Sequence, residues 1–220
     1  MKVRSDKVIT TIYLIRHSGP FVEIDNYSNG NKVLWSEFNK NMILSPKGEE
    51  NAKRLCNVEE LKNISELYSS NSSRAIETAK YLAELNNLKI KLDDRINERE
   101  FGVKFFDEIP ENFAKDSLEN KELKVGNGES LNELDTRFKN FINELLNNKK
   151  DNAVIVLHGI ILLSYLKAIC TNFTYDGKNF EIKFNNNIVL NGKPNNPSIY
   201  KIQYDENKTV INVEQIEIIN

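Results

Sequence analysis

An apolar run that ends abruptly in polar residues is the feature that most constrains the fold of this chain. Residues Ile12–Ile15 are all apolar, and Arg16 and His17 follow them directly. An unbroken run of this kind is typical of a strand covered on both faces, as in a sheet with helices on either side. In such open sheets ligands bind beyond the carboxyl ends of the strands. The cation and the imidazole therefore indicate chemistry at this strand end rather than packing.

A second segment has the same design. Residues Ala153–Leu157 form another apolar run rich in β-branched residues, and His158 and Gly159 follow it before a helix-like stretch that ends near Cys170. The chain contains two histidines, His17 and His158. One histidine at a strand end is often a hydrogen-bonded core residue. Two in equivalent positions, one of them beside an arginine, favour a shared site.

The order of the remaining segments predicts an α/β fold. Helical apolar stripes alternate with short strand-like runs, and the two strand-like runs after residue 197 are typical of an antiparallel hairpin. We expect one domain over residues 1–220, a three-layer α/β/α sandwich with a mostly parallel central sheet and this hairpin at its edge. Residues 20–43 and 171–197 have no regular pattern, and 103–128 could form a lid over a pocket.

Composition limits the partners that this chain would bind. It carries 30 basic and 32 acidic residues, a net charge of −2, so bulk charge does not favour nucleic acid. No segment has the length of a membrane span, and no cleavable leader is evident, so a membrane partner is not expected either. Cys56 and Cys170 lack the spacing of a zinc site and are interpreted as reduced thiols. We therefore expect a cytoplasmic protein.

Short motifs with the order and residue types of one known family run along most of the chain. They are Leu14–Ile15–Arg16–His17, Leu44–Ser45–Pro46–Lys47–Gly48, Tyr68–Ser69–Ser70 with Arg74, Ile96–Asn97–Glu98 with Phe101–Gly102, Gly128–Glu129–Ser130 with Arg137, and His158–Gly159. From Ile12 to its end, the chain resembles the histidine phosphatase (phosphoglycerate mutase-like) superfamily, in its phosphatase-type members. A lone Arg-His pair carries little information, whereas six matches in family order are specific.

The resemblance implies a role for each residue at the strand ends. His17 would attack phosphorus and form a phosphohistidine intermediate. Arg16, Arg74 and His158 would hold the phosphoryl oxygens, the arginines as bidentate donors and His158 as a protonated donor. Such a cluster of fixed cations suits phosphoryl transfer, which depends mainly on positioning and charge stabilisation. The resemblance implies no metal and no other cofactor.

The resemblance also assigns the proton transfers, and the chain departs from the family pattern nearby. Glu98 would protonate the leaving oxygen and then deprotonate water, with Glu100 in the same charged loop as the second choice. Ser18 replaces the usual glycine after the nucleophile and could donate to phosphate or crowd the loop. Pro20 and Glu23 stand where many members have threonine and asparagine. Glu23 would repel a second phosphate if it faced the pocket, which argues against bisphosphorylated sugars.

The resulting hypothesis is a metal-independent phosphomonoesterase that hydrolyses a small phosphorylated metabolite through a phosphohistidine. Two alternatives stay open: a phosphoglycerate mutase-type phosphotransferase, and a catalytically weak phospho-ligand-binding module. The mutases usually carry a longer insert, and the presence of every expected site residue counts against the binding module. The sequence identifies neither the substrate nor the oligomeric state.

Overall fold

The computed structural model describes residues 9–21 and 34–218, and nine strands and six α-helices lie among them. The strands are β1 Thr10–Arg16, β2 Glu66–Ser69, β3 Ile90–Leu92, β4 Ala153–Leu157, β5 Asn172–Tyr175, β6 Phe180–Phe184, β7 Asn187–Gly192, β8 Ser198–Tyr204 and β9 Val210–Ile216. The helices are α1 Trp35–Asn41, α2 Pro46–Arg54, α3 Ser73–Asn86, α4 Phe113–Glu119, α5 Leu131–Asn147 and α6 Gly159–Ile169. No helix within these ranges is long and apolar enough to cross a membrane.

The central sheet confirms the predicted architecture. Its six strands lie in the order β3-β2-β4-β1-β8-β9. Strands β1 to β4 run parallel, while β8 is antiparallel to β1 and forms the expected edge hairpin with β9. Successive residues of a strand point to opposite faces, so Ile12 and Leu14 pack with α5 and α6, whereas Tyr13 and Ile15 pack with α3. The unbroken apolar run is thus explained by burial on both faces.

Parallel pairing brings the two histidines to one edge of the sheet. In the register of β1 and β4, Arg16 lies opposite Leu157, and the backbone N–H of His17 donates to the Leu157 carbonyl at 2.9 Å. His158 then follows β4 directly. Helix α3 begins just after β2, at the same edge, and delivers Arg74 in its first turn. The strand ends therefore assemble the predicted cluster.

Residues 171–197 are not irregular, which corrects the expectation from the sequence. Strands β5, β6 and β7 form a separate antiparallel sheet that packs on the main core through Ile182 and Leu190. Asn185 and Asn186 both have positive φ, 48° and 69°, which allows the tight turn between β6 and β7. The abundance of asparagine that obscured these strands marks the turns that join them.

The segment 103–128 packs against the body of the protein. Phe113 of α4 is buried with Trp35 and Phe101, and the guanidinium of Arg99 lies 4.5 Å from the centre of its ring. Arg99 is itself buried and donates to the Glu129 carbonyl at 2.9 Å. These contacts anchor the segment beside the site. Its action as a lid stays a prediction.

Candidate active site

The carboxyl ends of β1 and β4 open into a cavity of about 540 Å³. Four of the predicted site residues, Arg16, His17, Arg74 and Glu98, line it. His158 lies beneath them, fully buried, with its ring centre 5.1 Å from that of His17. We call the part of the cavity lined by Arg16, His17, Arg74 and Glu98 the phosphate end, after the ligand that the resemblance implies.

The hydrogen bonds of His17 define its protonation state. Its Nδ1 lies 2.7 Å from the carbonyl oxygen of Ser18, and since a carbonyl only accepts, Nδ1 carries the proton. Its Nε2 accepts from Nε of Arg74 at 3.1 Å, so this nitrogen holds the lone pair. Burial, together with the positive charge of Arg74, lowers the pKa of His17 from 6.5 to about 3. His17 is therefore a neutral imidazole whose Nε2 carries a lone pair, which Arg74 contacts in this structure.

Arg74 is the centre of the hydrogen-bond network. It contacts both histidines, and Asn39 accepts from its guanidinium through the backbone carbonyl at 2.5 Å and the side-chain oxygen at 3.3 Å. Burial lowers the pKa of Arg74 to about 10, with the charge of Glu98 acting in the opposite direction, so Arg74 stays charged at neutral pH. Sequence reasoning missed Asn39 because the stretch around it has no pattern that fixes its position.

The hydrogen bonds of His158 are those of a neutral residue, whereas the resemblance implied a protonated donor to phosphate. Its Nδ1 lies 2.9 Å from Nη2 of Arg74, and a guanidinium only donates, so Nδ1 must hold a lone pair. The proton is then on Nε2, which donates to the hydroxyl of Ser70 at 2.7 Å. Burial and the charge of Arg74 hold the pKa of His158 well below its usual value. In this structure His158 is a neutral residue that fixes Arg74.

Glu98 is held by backbone groups. Its Oε1 accepts from the N–H of Arg99 at 3.0 Å, and its Oε2 accepts from the N–H of Ile160, in the first turn of α6, at 3.1 Å. The carboxylate is thus fixed at the cavity wall, where the free N–H groups of a helix start favour an anion. Glu100 is exposed and its carboxylate accepts from the indole of Trp35 at 3.1 Å. The geometry favours Glu98 for proton transfer.

Arg16 has donor capacity left. One terminal nitrogen of its guanidinium donates to the carbonyl of Pro194. Its Nε is buried without a hydrogen-bond partner among residues 9–21 and 34–218. Burial lowers the pKa of Arg16, and the charge of Glu98 opposes this effect. A Cβ on Gly159 would lie 3.3 Å from this Nε, so glycine leaves room beside the guanidinium.

The residues that depart from the family pattern lie in different places. Ser18 is fully buried, and its hydroxyl donates to the Gly48 carbonyl at 2.7 Å while its N–H donates to Thr78 at 2.9 Å. It does not line the cavity, so this geometry supports a role in the loop rather than as a phosphate ligand. Pro20 does line the cavity, whereas Glu23 lies outside the described residues.

A further part of the cavity lining was not predicted. Lys178 and Lys193 line it, together with Tyr175 and Phe180, and we call this part the lysine end. Asn196 also lines the cavity and donates from Nδ2 to the His17 carbonyl at 3.0 Å. All five belong to the stretch 171–197, which the sequence left without structure, so no signal connected them to the site.

Comparison with known proteins identifies the family. A family model described as the histidine phosphatase superfamily (branch 1) matches residues 12–214. The chain therefore belongs to this superfamily, which confirms the resemblance drawn from its motifs. Phosphoserine phosphatase 1 of Hydrogenobacter thermophilus is 27% identical over 168 residues, which cover 67% of this chain and 80% of that protein.

Solved structures share the fold across almost the whole chain. A mycobacterial glucosyl-3-phosphoglycerate phosphatase is similar with a TM-score of 0.65 and 16% identity, over 94% of this chain and 97% of its own. A phosphoglycerate mutase from Bacillus anthracis has a TM-score of 0.61 and 22% identity, over 96% and 94% of the two chains. At these identities the similarity establishes the fold and leaves the activity open.

Proposed function

We propose that this protein is a phosphomonoesterase that hydrolyses a small phosphorylated metabolite through a phosphohistidine at His17, without a metal ion. The observation that carries the proposal is that His17 is neutral and lines the cavity. Its Nε2 lone pair accepts a hydrogen bond from Nε of Arg74 at 3.1 Å. The match to a curated phosphoserine phosphatase and the fold shared with other phosphatases support the same class of reaction.

In the first step, Nε2 of His17 attacks phosphorus and the bond between phosphorus and the ester oxygen breaks. The Arg74 N–H that now points at Nε2 would turn to a phosphoryl oxygen, and the guanidinium of Arg16, which lines the cavity, would bind another. The Ser18 carbonyl at Nδ1 steadies the positive charge that forms on the imidazole. Burial keeps His17 unprotonated before the attack, since it lowers the pKa to about 3.

Glu98 would carry the proton in both steps. As a carboxylic acid it protonates the departing oxygen, which leaves as an alcohol. As a carboxylate it then takes a proton from the water that attacks the phosphohistidine, which releases inorganic phosphate and restores His17. Each Glu98 oxygen accepts only one backbone N–H, so either retains a lone pair for this proton.

The charge of the phosphate end supports chemistry without a metal. Arg16 and Arg74 supply two positive charges, which match the two negative charges of a phosphomonoester. Among the residues described, no group of three or more His, Cys, Asp and Glu side chains could hold a metal ion. Fixed guanidinium groups would then stabilise the negative charge of the transition state, as a metal ion does in metal-dependent enzymes.

The test is phosphate release from p-nitrophenyl phosphate and a panel of phosphorylated metabolites, with EDTA present, by the wild type and by His17→Ala. We expect release by the wild type and a loss of at least about 10³-fold in kcat for the variant. A base-stable phosphohistidine should be trapped on His17 by rapid quench and mass spectrometry.

Circular dichroism of His17→Ala controls for folding. Activity that survives in a folded His17→Ala variant would refute the nucleophile, and activity abolished by EDTA would refute metal independence. Transfer of the phosphoryl group to a phosphoglycerate without release of phosphate would instead support the mutase alternative.

A further inference from the structure

The lysine end carries two positive charges that no side chain among the described residues pairs with. Lys178 lies at the turn between β5 and β6, and Lys193 lies between β7 and β8; both are exposed. Neither ammonium group forms an ion pair or hydrogen bond with any side chain in the described part of the chain. The nearest acid in sequence, Asp176, uses its carboxylate to accept the backbone N–H groups of Lys178 and Asn179 at 2.8 and 2.6 Å.

The phosphate group of a substrate does not account for these charges. Among the residues that the structure describes, four cations line the cavity, Arg16, Arg74, Lys178 and Lys193, against the one carboxylate of Glu98. A phosphomonoester dianion balances the two arginines. Even with the Glu98 carboxylate counted, the two lysines leave a net positive charge among the described lining residues, and a cavity lined with such charge attracts an anion.

Part of the cavity lining is apolar. Tyr175 and Phe180 stack with ring centres 4.5 Å apart and with 19° between their planes, and Leu163 and Ile160 lie on the same cavity wall. Apolar walls of this kind hold the body of a ligand, while the few polar groups fix its orientation. Such a surface suits an organic group with one anion at each end.

We propose that Lys178 and Lys193 form a second anion-binding subsite, and that the substrate is a phosphomonoester whose apolar body carries a second anionic group, such as a carboxylate. This inference rests on the proposed function for the identity of the first anion. The small sheet supplies the subsite, since the β5–β6 turn and the segment after β7 bring both lysines to the cavity. The two lysines are therefore specificity-determining residues for the reaction at His17.

The test uses two pairs of esters that differ only in a carboxylate: 4-carboxyphenyl phosphate with phenyl phosphate, and phosphoserine with phosphoethanolamine. The quantity measured is the ratio of kcat/KM within each pair. We expect the wild type to prefer the carboxylated ester about tenfold or more in at least one pair. The double variant Lys178→Ala/Lys193→Ala should bring that ratio close to one.

Lys183→Ala is the matched control. Lys183 lies on β6 of the same sheet and pairs with Glu181 at 2.8 Å, away from the cavity lining, so its loss removes a positive charge without touching the subsite. The ratio should stay at its wild-type value. An equal fall in Lys183→Ala and in the double variant would mean that net charge and not the subsite sets the preference, which would overturn the inference.

Calorimetric binding of the same esters to His17→Ala separates the two proposals, because it does not depend on turnover. If no ester is hydrolysed by the wild type but the carboxylated esters bind more tightly through the lysines, the hydrolytic function fails and the subsite stands. If esters are hydrolysed but neither pair shows a preference, or the preference survives the double variant, the subsite fails and the hydrolytic function stands. Absence of binding of every ester would overturn both.

Discussion

The two ends of the cavity are built in different ways. At the phosphate end, Arg74 is buried and has fixed partners on Asn39 and both histidines. At the lysine end, Lys178 and Lys193 are exposed, lie on connections of a small sheet, and have free ammonium groups within the described ranges. Preorganised donors suit a transition state, whereas loop residues on a rigid scaffold suit recognition. On the two proposals made above, reaction and substrate choice would be carried by separate parts of this fold.

Arg74→Ala gives the largest expected effect and tests the phosphate end. We expect kcat/KM to fall by about 10³-fold for every phosphomonoester, with or without a carboxylate, because in the proposed mechanism the guanidinium binds the transferred group itself. The variant should also raise the pKa of His17, since the charge of Arg74 is one cause of its low value. An NMR titration of the imidazole measures this shift, and circular dichroism controls for folding.

Two results for Arg74→Ala would contradict the description of the phosphate end. A loss confined to carboxylated esters would place Arg74 in substrate choice and would break the division between the two ends. An unchanged His17 pKa in a folded variant would mean that burial alone sets its protonation state.

Glu98→Gln comes next and has Glu100→Gln as its matched control. For Glu98→Gln we expect a loss of about 10²-fold on alkyl phosphates and a much smaller loss on p-nitrophenyl phosphate, whose leaving group hardly needs a proton. Glu100→Gln should change neither rate strongly, because its carboxylate is engaged with Trp35. Equal losses of Glu98→Gln on both ester types would refute proton transfer by Glu98. A large loss on alkyl phosphates and a small loss on p-nitrophenyl phosphate in Glu100→Gln would assign proton transfer to Glu100.

The burial of His17 also makes stability depend on pH. The pKa of His17 is about 3 in the folded protein against an ordinary 6.5, so between these values the unfolded chain binds a proton that the folded one excludes. Stability is therefore lost as pH falls from 6.5 towards 3, by up to ~1.4 kcal/mol per pH unit. His158 acts in the same direction, because its pKa is also lowered.

His17→Asn tests this contribution by urea unfolding in phosphate-free buffers. Between pH 6 and pH 4, the wild type should lose about 2 kcal/mol more free energy of unfolding than the variant. Lys178→Ala, at the lysine end, should keep the wild-type slope, because no buried titration is removed. The same slope in His17→Asn and in the wild type would contradict a neutral, buried His17.

The sequence predicted the phosphate end far better than the lysine end, for physical reasons. A strand buried on both faces must be an apolar run, so Ile12–Ile15 and Ala153–Leu157 revealed the sheet and placed the histidines at its edge. The positions of Asn39 and Lys178 depend on how loops and a small sheet pack on that core, which no local pattern encodes. The neutral state of His158 was missed too, because it follows from one contact with Arg74 at 2.9 Å.

Ser18→Ala gives the smallest expected effect. It tests whether Ser18 belongs to the residues of the phosphate end that contact substrate. The Ser18 hydroxyl donates to the Gly48 carbonyl at 2.7 Å and is fully buried, so its removal should cost about 1 kcal/mol of stability in urea unfolding. Because the hydroxyl faces Gly48 and not the cavity, kcat/KM for p-nitrophenyl phosphate should change less than about threefold. A loss of tenfold or more with unchanged stability would mean that Ser18 turns to the phosphate when substrate binds, and the phosphate end would then include a residue that rearranges.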